Sequence, residues 1–180
     1  MSRIGRMPIE IPAGVTAKID GKNVNVKGPL GELKTNFFDN IDVSIDGNVI
    51  TVTRQSEDGK VKALHGLTRA LIYNMVTGVT KGYTRTLTVA GVGYKVAKSG
   101  NKLIMNIGFS HPVEFSEGDG VTFEVPNQNE IIVKGIDKDK VGQVASNIRA
   151  AKPVEPYHLY GIRYKEEKVT KKEGKTAGKK

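Results

Sequence analysis

Two stretches of this chain carry the same pattern in the same order, and that repeat restricts the possible folds more than any other feature of the sequence. In the first half, Val43-Ser44-Ile45 is followed by Asn48-Val49-Ile50-Thr51-Val52 and then by a helical stretch reaching Leu67-Thr68-Arg69-Ala70. In the second half, Val121-Thr122-Phe123 is followed by Asn129-Glu130-Ile131-Ile132-Val133 and then by a helical stretch reaching Asn147-Ile148-Arg149-Ala150. The offset is 78 residues from Val43 to Val121 and 80 from Ala70 to Ala150, so two strands and a helix recur at nearly constant spacing. A chain of 180 residues has room for two small domains. The repeat therefore predicts two tandem modules, residues 1–82 and 83–164, each with its own core.

Within each module the strands come first and one helix comes late. Val15, Ala17 and Ile19 alternate up to Asp20-Gly21, and Val24 and Val26 resume the alternation after it, which reads as a hairpin. Val43 and Ile45 lead in the same way into Asp46-Gly47 and the run Val49–Val52. Further alternating runs are Thr86–Val89, Tyr94–Val96 and Leu103–Ile107. Leu64, Leu67, Leu71, Met75 and Val79 fall at steps of three or four, which predicts a helix covering a sheet with that face. Ser56, Glu57 and Asp58 suit its start and Gly82 its end. Val141, Val144, Ala145 and Ile148 repeat the spacing, with Asp137 as N-cap and an end before Pro153. The expected fold is α+β: two similar modules, each a small, mainly antiparallel sheet packed by one α-helix.

Aromatic residues make up only 6% of the chain and Trp is absent, so the core must be built from Val, Ile and Leu. The absence of Cys excludes disulfides, thiolate metal ligands and a thiol nucleophile. No apolar run has signal-peptide or membrane-spanning length, and a soluble, cytoplasmic protein is expected. The formal charge of +9 points to a polyanionic partner. Its distribution is uneven. Residues 1–82 hold 11 basic and 8 acidic side chains, residues 83–148 hold 7 of each, and residues 149–180 hold 10 and 4. Within 165–180 the only large aliphatic residue is Val169, so this basic stretch is expected to be a disordered tail. Everything after Ala151 is expected to be separable from the fold.

Candidate chemistry is sparse. Gly91-Val92-Gly93-Tyr94-Lys95-Val96 begins like a phosphate-binding glycine loop, but Val96 stands where a third glycine belongs and no helix pattern follows. The alternatives are a glycine-kinked strand, or a bend that brings Lys95 and exposed amides to an RNA phosphate; the bend is preferred. His65, His111 and His158 are scattered without metal-site spacing, and His65 reads as structural. Neither a nucleophile elbow nor a distinguished carboxylate pair is present, so no enzyme activity, cofactor, metal or small-molecule substrate is expected. Ser110 and His111, in a loop stiffened by Pro112, either donate hydrogen bonds to phosphate or merely end a strand. The segment Lys152-Pro153-Val154-Glu155-Pro156-Tyr157-His158-Leu159-Tyr160-Gly161-Ile162-Arg163-Tyr164-Lys165 interleaves three Tyr with cations. Cations neutralise phosphates and Tyr rings stack on unpaired bases, which suits RNA. The plainer reading is that the rings anchor a terminal strand; the two are compatible.

At these residues the chain resembles the family of bacterial large-subunit ribosomal protein six. The resemblance covers nearly the whole chain. It is carried by Ser2-Arg3-Ile4-Gly5 with Pro8, Pro12-Ala13-Gly14-Val15, Val26-Lys27-Gly28, Gly91-Val92-Gly93-Tyr94-Lys95, Gly108-Phe109-Ser110-His111-Pro112-Val113, Lys134-Gly135, Gly142-Gln143-Val144-Ala145, and Pro156-Tyr157 with Gly161-Ile162-Arg163-Tyr164. It implies two similar α+β modules that bind 23S rRNA, mainly through the C-terminal one, near the stalk base and factor-binding region, alongside neighbouring large-subunit proteins. The rRNA-facing positions it implies are Lys95, Ser110, His111, Lys152, Pro153, Tyr157, His158, Tyr160, Arg163, Tyr164 and Lys165. Where the family signature reads Tyr-Lys-Gly-Lys-Gly, this chain reads Tyr157-His158-Leu159-Tyr160-Gly161, which exchanges two lysines for His and Tyr. Binding with a weaker salt dependence at this loop is the expectation.

Three function classes therefore stand side by side. The first is a structural rRNA-binding constituent of the large ribosomal subunit, which should travel with large subunits in sedimentation. The second is a nucleotide enzyme built on the glycine-rich strand, which should lose nucleotide affinity when Gly91 or Gly93 is changed. The third is an extra-ribosomal RNA-binding regulatory protein.

Overall fold

A computed structural model describes residues 3–175. They fall into two compact units, one comprising the chain through Tyr83 with Ile136–Lys138, the other Thr84–Gly135 with the chain from Asp139 on.

The first unit contains β1 (Ile9–Glu10), β2 (Thr16–Asp20), β3 (Asn23–Gly28), β4 (Gly31–Asn36), β5 (Ile41–Asp46), β6 (Val49–Arg54) and α1 (Gly59–Lys81). These strands form two antiparallel sheets in the orders β2-β3-β4 and β1-β6-β5. Both Asp-Gly pairs make the expected hairpins. Asp20 faces Asn23 and Asp46 faces Val49, which leaves two-residue turns whose first residues, Gly21 and Gly47, take φ 60°. A glycine there gives a turn whose twist matches the strands it joins. Ile9, Val24, Val26, Ile41, Ile50 and Val52 of the sheets pack with Val61, Ile72, Met75, Val76 and Val79 of α1.

The buried face of α1 differs from the expected leucine stripe. It runs through Val61, His65, Thr68, Ile72, Met75, Val76 and Val79, and Leu67 is 46% exposed. The two stripes coincide at Met75 and Val79 and diverge towards the N-terminus, where burial is given to polar residues that find partners. Thr68 Oγ1 donates to the Leu64 carbonyl at 2.9 Å. His65 Nε2 lies 2.9 Å from the Val52 carbonyl, and Arg54 approaches Nδ1 at 3.3 Å. Donation from Arg54 requires an acceptor at Nδ1, so the imidazole proton belongs on Nε2. The backbone of Gly5 lies against this ring, where a Cβ would stand 2.5 Å from Nδ1. His65 is thus structural, and the Arg3-Ile4-Gly5 motif sits beside it. Ser2 lies outside the described residues. Asp58 precedes α1 without a side-chain cap, and Gly82 closes it by donating to the Gly78 carbonyl.

The second unit contains β7 (Tyr83–Ala90), β8 (Lys95–Ser99), β9 (Lys102–Asn106), β10 (Val113–Ser116), β11 (Val121–Asn127), β12 (Glu130–Gly135), α2 (Lys138–Ala151) and β13 (Gly161–Tyr164). Its sheets have the orders β11-β12-β7-β13 and β10-β9-β8. Leu87, Val89, Leu103, Met105, Phe123, Ile131 and Val133 are buried on the strands, and Val141, Ala145 and Ile148 on α2. Two helices and mostly antiparallel sheets make the described chain an α+β fold.

The residues after Ala151 are not separable from this unit. β13 pairs antiparallel with β7, from Gly161 opposite Ala90 to Tyr164 opposite Leu87, and Ile162 is fully buried. The stretch read as a tail has neither helix nor strand from 165 to 175, but its start is tied down. Lys165 N–H donates to the Thr86 carbonyl at 3.0 Å and Lys172 N–H to the Pro156 carbonyl at 2.9 Å. Residues 176–180, the rest of that stretch, lie outside the described residues.

Candidate nucleic-acid interface

Three connections of the second unit carry the implied site. The first joins β7 to β8. β7 stops at Ala90, and Gly91-Val92-Gly93 turns the chain, with Tyr94 N–H donating to the Gly91 carbonyl at 3.3 Å. No helix follows, so the phosphate-loop reading has no helix N-terminus to use. Gly91 and, from the next loop, Gly108 instead make room for the Tyr94 ring: a Cβ on Gly91 would stand 2.5 Å from it and one on Gly108 3.1 Å. Wedged between two backbones, the ring braces the base of the β9–β10 loop. Lys95 opens β8, is exposed, and pairs with Asn106 at the end of β9. Lys95 and the loop 107–112 therefore share one end of the β10-β9-β8 sheet.

That loop carries Phe109, Ser110 and His111, all exposed. The rings of Phe109 and His111 stack with centroids 6.1 Å apart, and Lys152 Nζ lies 4.7 Å from the Phe109 centroid. Lys152 is the first residue after α2. Its carbonyl accepts from Ile162 N–H at 2.8 Å, and Pro153 bridges to Ile162. The second and third connections thus meet at Lys152 and Phe109.

The third connection is a tight loop from Pro153 to Tyr160. Glu155 N–H donates to the Tyr160 carbonyl at 3.0 Å and Leu159 N–H to the Glu155 carbonyl at 3.2 Å. Glu155 Oε1 accepts from His158 N–H at 3.2 Å and lies 2.8 Å from His158 Nδ1. The rings of His158 and Tyr160 stack at 5.5 Å. Leu159 takes φ 64°, a left-handed conformation, at the position where the family signature has glycine. Gly161 takes φ 137° and is pressed against Pro153 and Val154, so that a Cβ would stand 2.6 Å from the Pro153 oxygen.

The structure sorts the cations of this face. Lys165 Nζ is paired with Glu130 at 2.9 Å. Arg149 holds Glu167 through two hydrogen bonds, at 2.9 and 2.5 Å, and its guanidinium lies 5.7 Å from the Tyr164 ring centroid. Arg149 thereby holds the Glu167 carboxyl below its usual range, and the carboxylate raises the Arg149 guanidinium in turn. Lys95, Lys152 and Arg163, by contrast, form no ion pair with any of the described residues. In this unit the large apolar side chains that stay exposed are Val92, Phe109, Tyr157 and Tyr160, every one of them in these connections. Arg163 still acts through its charge on the Glu167 carboxylate, whereas Lys95 and Lys152 are cations without an acid partner among the described residues. Such cations beside exposed aromatic faces suit phosphates and unpaired bases.

Of the implied residues, His111 and Lys152 both lie against Phe109, and Pro153 follows Lys152 and bridges to Ile162. His158 and Tyr160 stack on each other, Ser110 is exposed between Phe109 and His111, and Lys95 starts at the same sheet end as that loop. Tyr157 is exposed in the third loop, and Arg163 lies opposite Thr88 in β13. Tyr164 and Lys165 have partners inside the unit. Sequence reasoning passed over Phe109, Glu155 and Glu167. Phe109 stood inside a quoted motif, and an aromatic at a strand end next to a basic segment was the available signal. Among the described residues no three His, Cys, Asp or Glu side chains gather as metal ligands.

The model of the family described as Ribosomal protein L6 matches residues 11–82 and, separately, residues 90–165. The chain is 52% identical to the large ribosomal subunit protein uL6 of Carboxydothermus hydrogenoformans over 179 residues, 99% of this chain and 98% of that one. It is 53% identical to the protein of the same name from Halalkalibacterium halodurans, covering 98% of this chain and 99% of the relative. For that of Caldicellulosiruptor bescii the identity is 55%, with 99% and 98% covered.

Proposed function

The chain belongs to the ribosomal protein L6 family, and from that premise we propose that it is a structural constituent of the large ribosomal subunit that binds 23S rRNA mainly through its second unit. It is not an enzyme; it works in the bacterial cytoplasm as part of the subunit, among neighbouring large-subunit proteins, near the stalk base and factor-binding region. The observation that carries the rRNA reading is the gathering of unpaired cations and exposed aromatics on the 91–95, 108–112 and 152–163 connections. Lys95, Lys152 and Arg163 neutralise phosphates and release counterions, and Ser110 and His111 donate hydrogen bonds to phosphate oxygens. Tyr157 and the His158–Tyr160 stack offer faces to unpaired bases or riboses. Pro153 fixes the backbone where the loop leaves Lys152, which lowers the entropy lost on docking. Tyr164 and Lys165 support the face from within, Lys165 keeping a share of its charge for the RNA.

The test is a salt titration of binding to a 23S rRNA fragment. Replacing Lys95, Lys152 and Arg163 together by Ala should flatten the dependence of log affinity on log salt by about 2 to 3. The Lys165→Ala variant should change it by less, because Glu130 already holds that ammonium. An unchanged slope in the triple variant would remove this face from the contact.

A further inference from the structure

We infer that Phe109 is a positioning residue for RNA binding: its ring holds the Lys152 ammonium ready for a phosphate, making the 108–112 loop and the end of α2 one phosphate subsite. The inference rests on the rRNA reading above. A lysine head swings on a flexible four-carbon stem, and binding must freeze it. A carboxylate would hold it still but cancel its charge, as Glu130 does in part for Lys165 and Glu167 for Arg149. An aromatic face attracts the ammonium through its quadrupole and carries no net charge, so it orders the head and leaves the charge for a ligand.

The geometry meets each requirement. Lys152 Nζ lies 4.7 Å from the Phe109 centroid, and its backbone is fixed by the 2.8 Å bond from Ile162 N–H to its carbonyl. Phe109 is itself held: Gly108 lies under the Tyr94 ring, and His111 stacks beside it. The ring is 45% exposed and absent from the buried set, so packing does not explain its place. Ser110 and His111 stand next to it in sequence with hydrogen-bond donors.

The test uses the full chain in filter binding to a 23S rRNA fragment across a salt series. The variants are Phe109→Leu, which keeps apolar bulk and removes the π face, Phe109→Tyr, which keeps the face, Lys152→Met, and the Leu/Met double. Phe109→Leu and Lys152→Met should each weaken binding about 3- to 10-fold at low salt and flatten the salt slope. Phe109→Tyr should bind within about twofold of the unaltered chain, and the double variant should be no weaker than Lys152→Met alone. Circular dichroism should be the same for all, since Phe109 is exposed and Lys152 only half-buried, and neither belongs to the core. Full affinity in Phe109→Leu, or independent multiplication of the two losses, overturns the subsite and leaves the rRNA reading standing. Failure of the unaltered chain to bind the RNA overturns that reading, and the subsite with it.

Discussion

Gly161→Ala tests how the third loop is held against the sheet. The added Cβ would stand 2.6 Å from the Pro153 carbonyl oxygen and 2.6 Å from Val154 Cα, and both are backbone atoms that no rotamer change can move. Alanine would also have to adopt φ 137°, a region almost confined to glycine, at about 1 to 3 kcal/mol. If the backbone stays, overlap adds about 1 to 3 kcal/mol. If residues 152–155 peel away, the Ile162–Lys152 and Glu155–Tyr160 bonds are lost at about 1 kcal/mol each. By either route the second unit should lose about 3 kcal/mol. With a urea dependence of about 1 to 3 kcal/mol per molar, its midpoint should fall by about 1 to 3 M. Circular dichroism follows the transition, since the chain has no Trp. Binding to 23S rRNA should weaken as well, because Lys152 and Pro153 shift. A midpoint and an affinity both equal to those of the unaltered chain would refute the account of this loop.

At Leu159, with φ 64°, relief of left-handed strain offsets the entropy a glycine adds to the unfolded chain. Leu159→Gly should therefore stay within about 0.5 kcal/mol of the parent, while β-branched Leu159→Ile should lose more than about 1 kcal/mol; equal losses in denaturant melts would count against the strain. Glu167→Gln removes the carboxylate that Arg149 holds below its ordinary value of 4.5. A carboxyl depressed in the folded state stabilises above its unfolded pKa and loses that contribution as pH falls through the folded one. The variant should thus be less stable near pH 7 by about 1 kcal/mol or less, the pair being partly solvated, and the gap should shrink as pH falls below the ordinary 4.5 and close once pH lies below the lowered folded value; a gap independent of pH argues against the pair. Gly5→Ala should destabilise the first unit by about 2 kcal/mol through its clash with His65. In a His65→Ala background that loss should largely vanish, and additive losses in a double-mutant cycle would exclude the contact.

The two α+β modules were legible because each rests on local signals. The Asp20-Gly21 and Asp46-Gly47 turns set register within a few residues, and the repeat told where the pattern began again. The helix stripe was misread at Leu67 because hydrophobicity ranks leucine above histidine and threonine. Burial follows whichever face meets the sheet, and His65 and Thr68 satisfy their polar atoms there. β13 was read as a binding segment with a terminal strand only as the plainer alternative, because its partner β7 is distant in sequence and a four-residue run gives little alternation. The basic, tyrosine-bearing composition of 152–165 marked the candidate face directly. Which cations are already committed to acids was not legible, since Lys165 meets Glu130, and Lys152 meets Phe109, only through the folded sheet.

The position of β13 has a consequence for synthesis. Apart from β1, which pairs with the distant β6, the strands of the first unit pair with their neighbours in sequence, and all of them have left the peptidyl-transferase centre before β7 begins. The second unit closes only when its final strand reaches its opening strand, β7. A nascent chain arrested inside α2 would present the edge of β7 bare, with neither Ile162 nor the Lys152–Ile162 tether. Closure of the second unit's sheet therefore waits until residues 161–164 have been made.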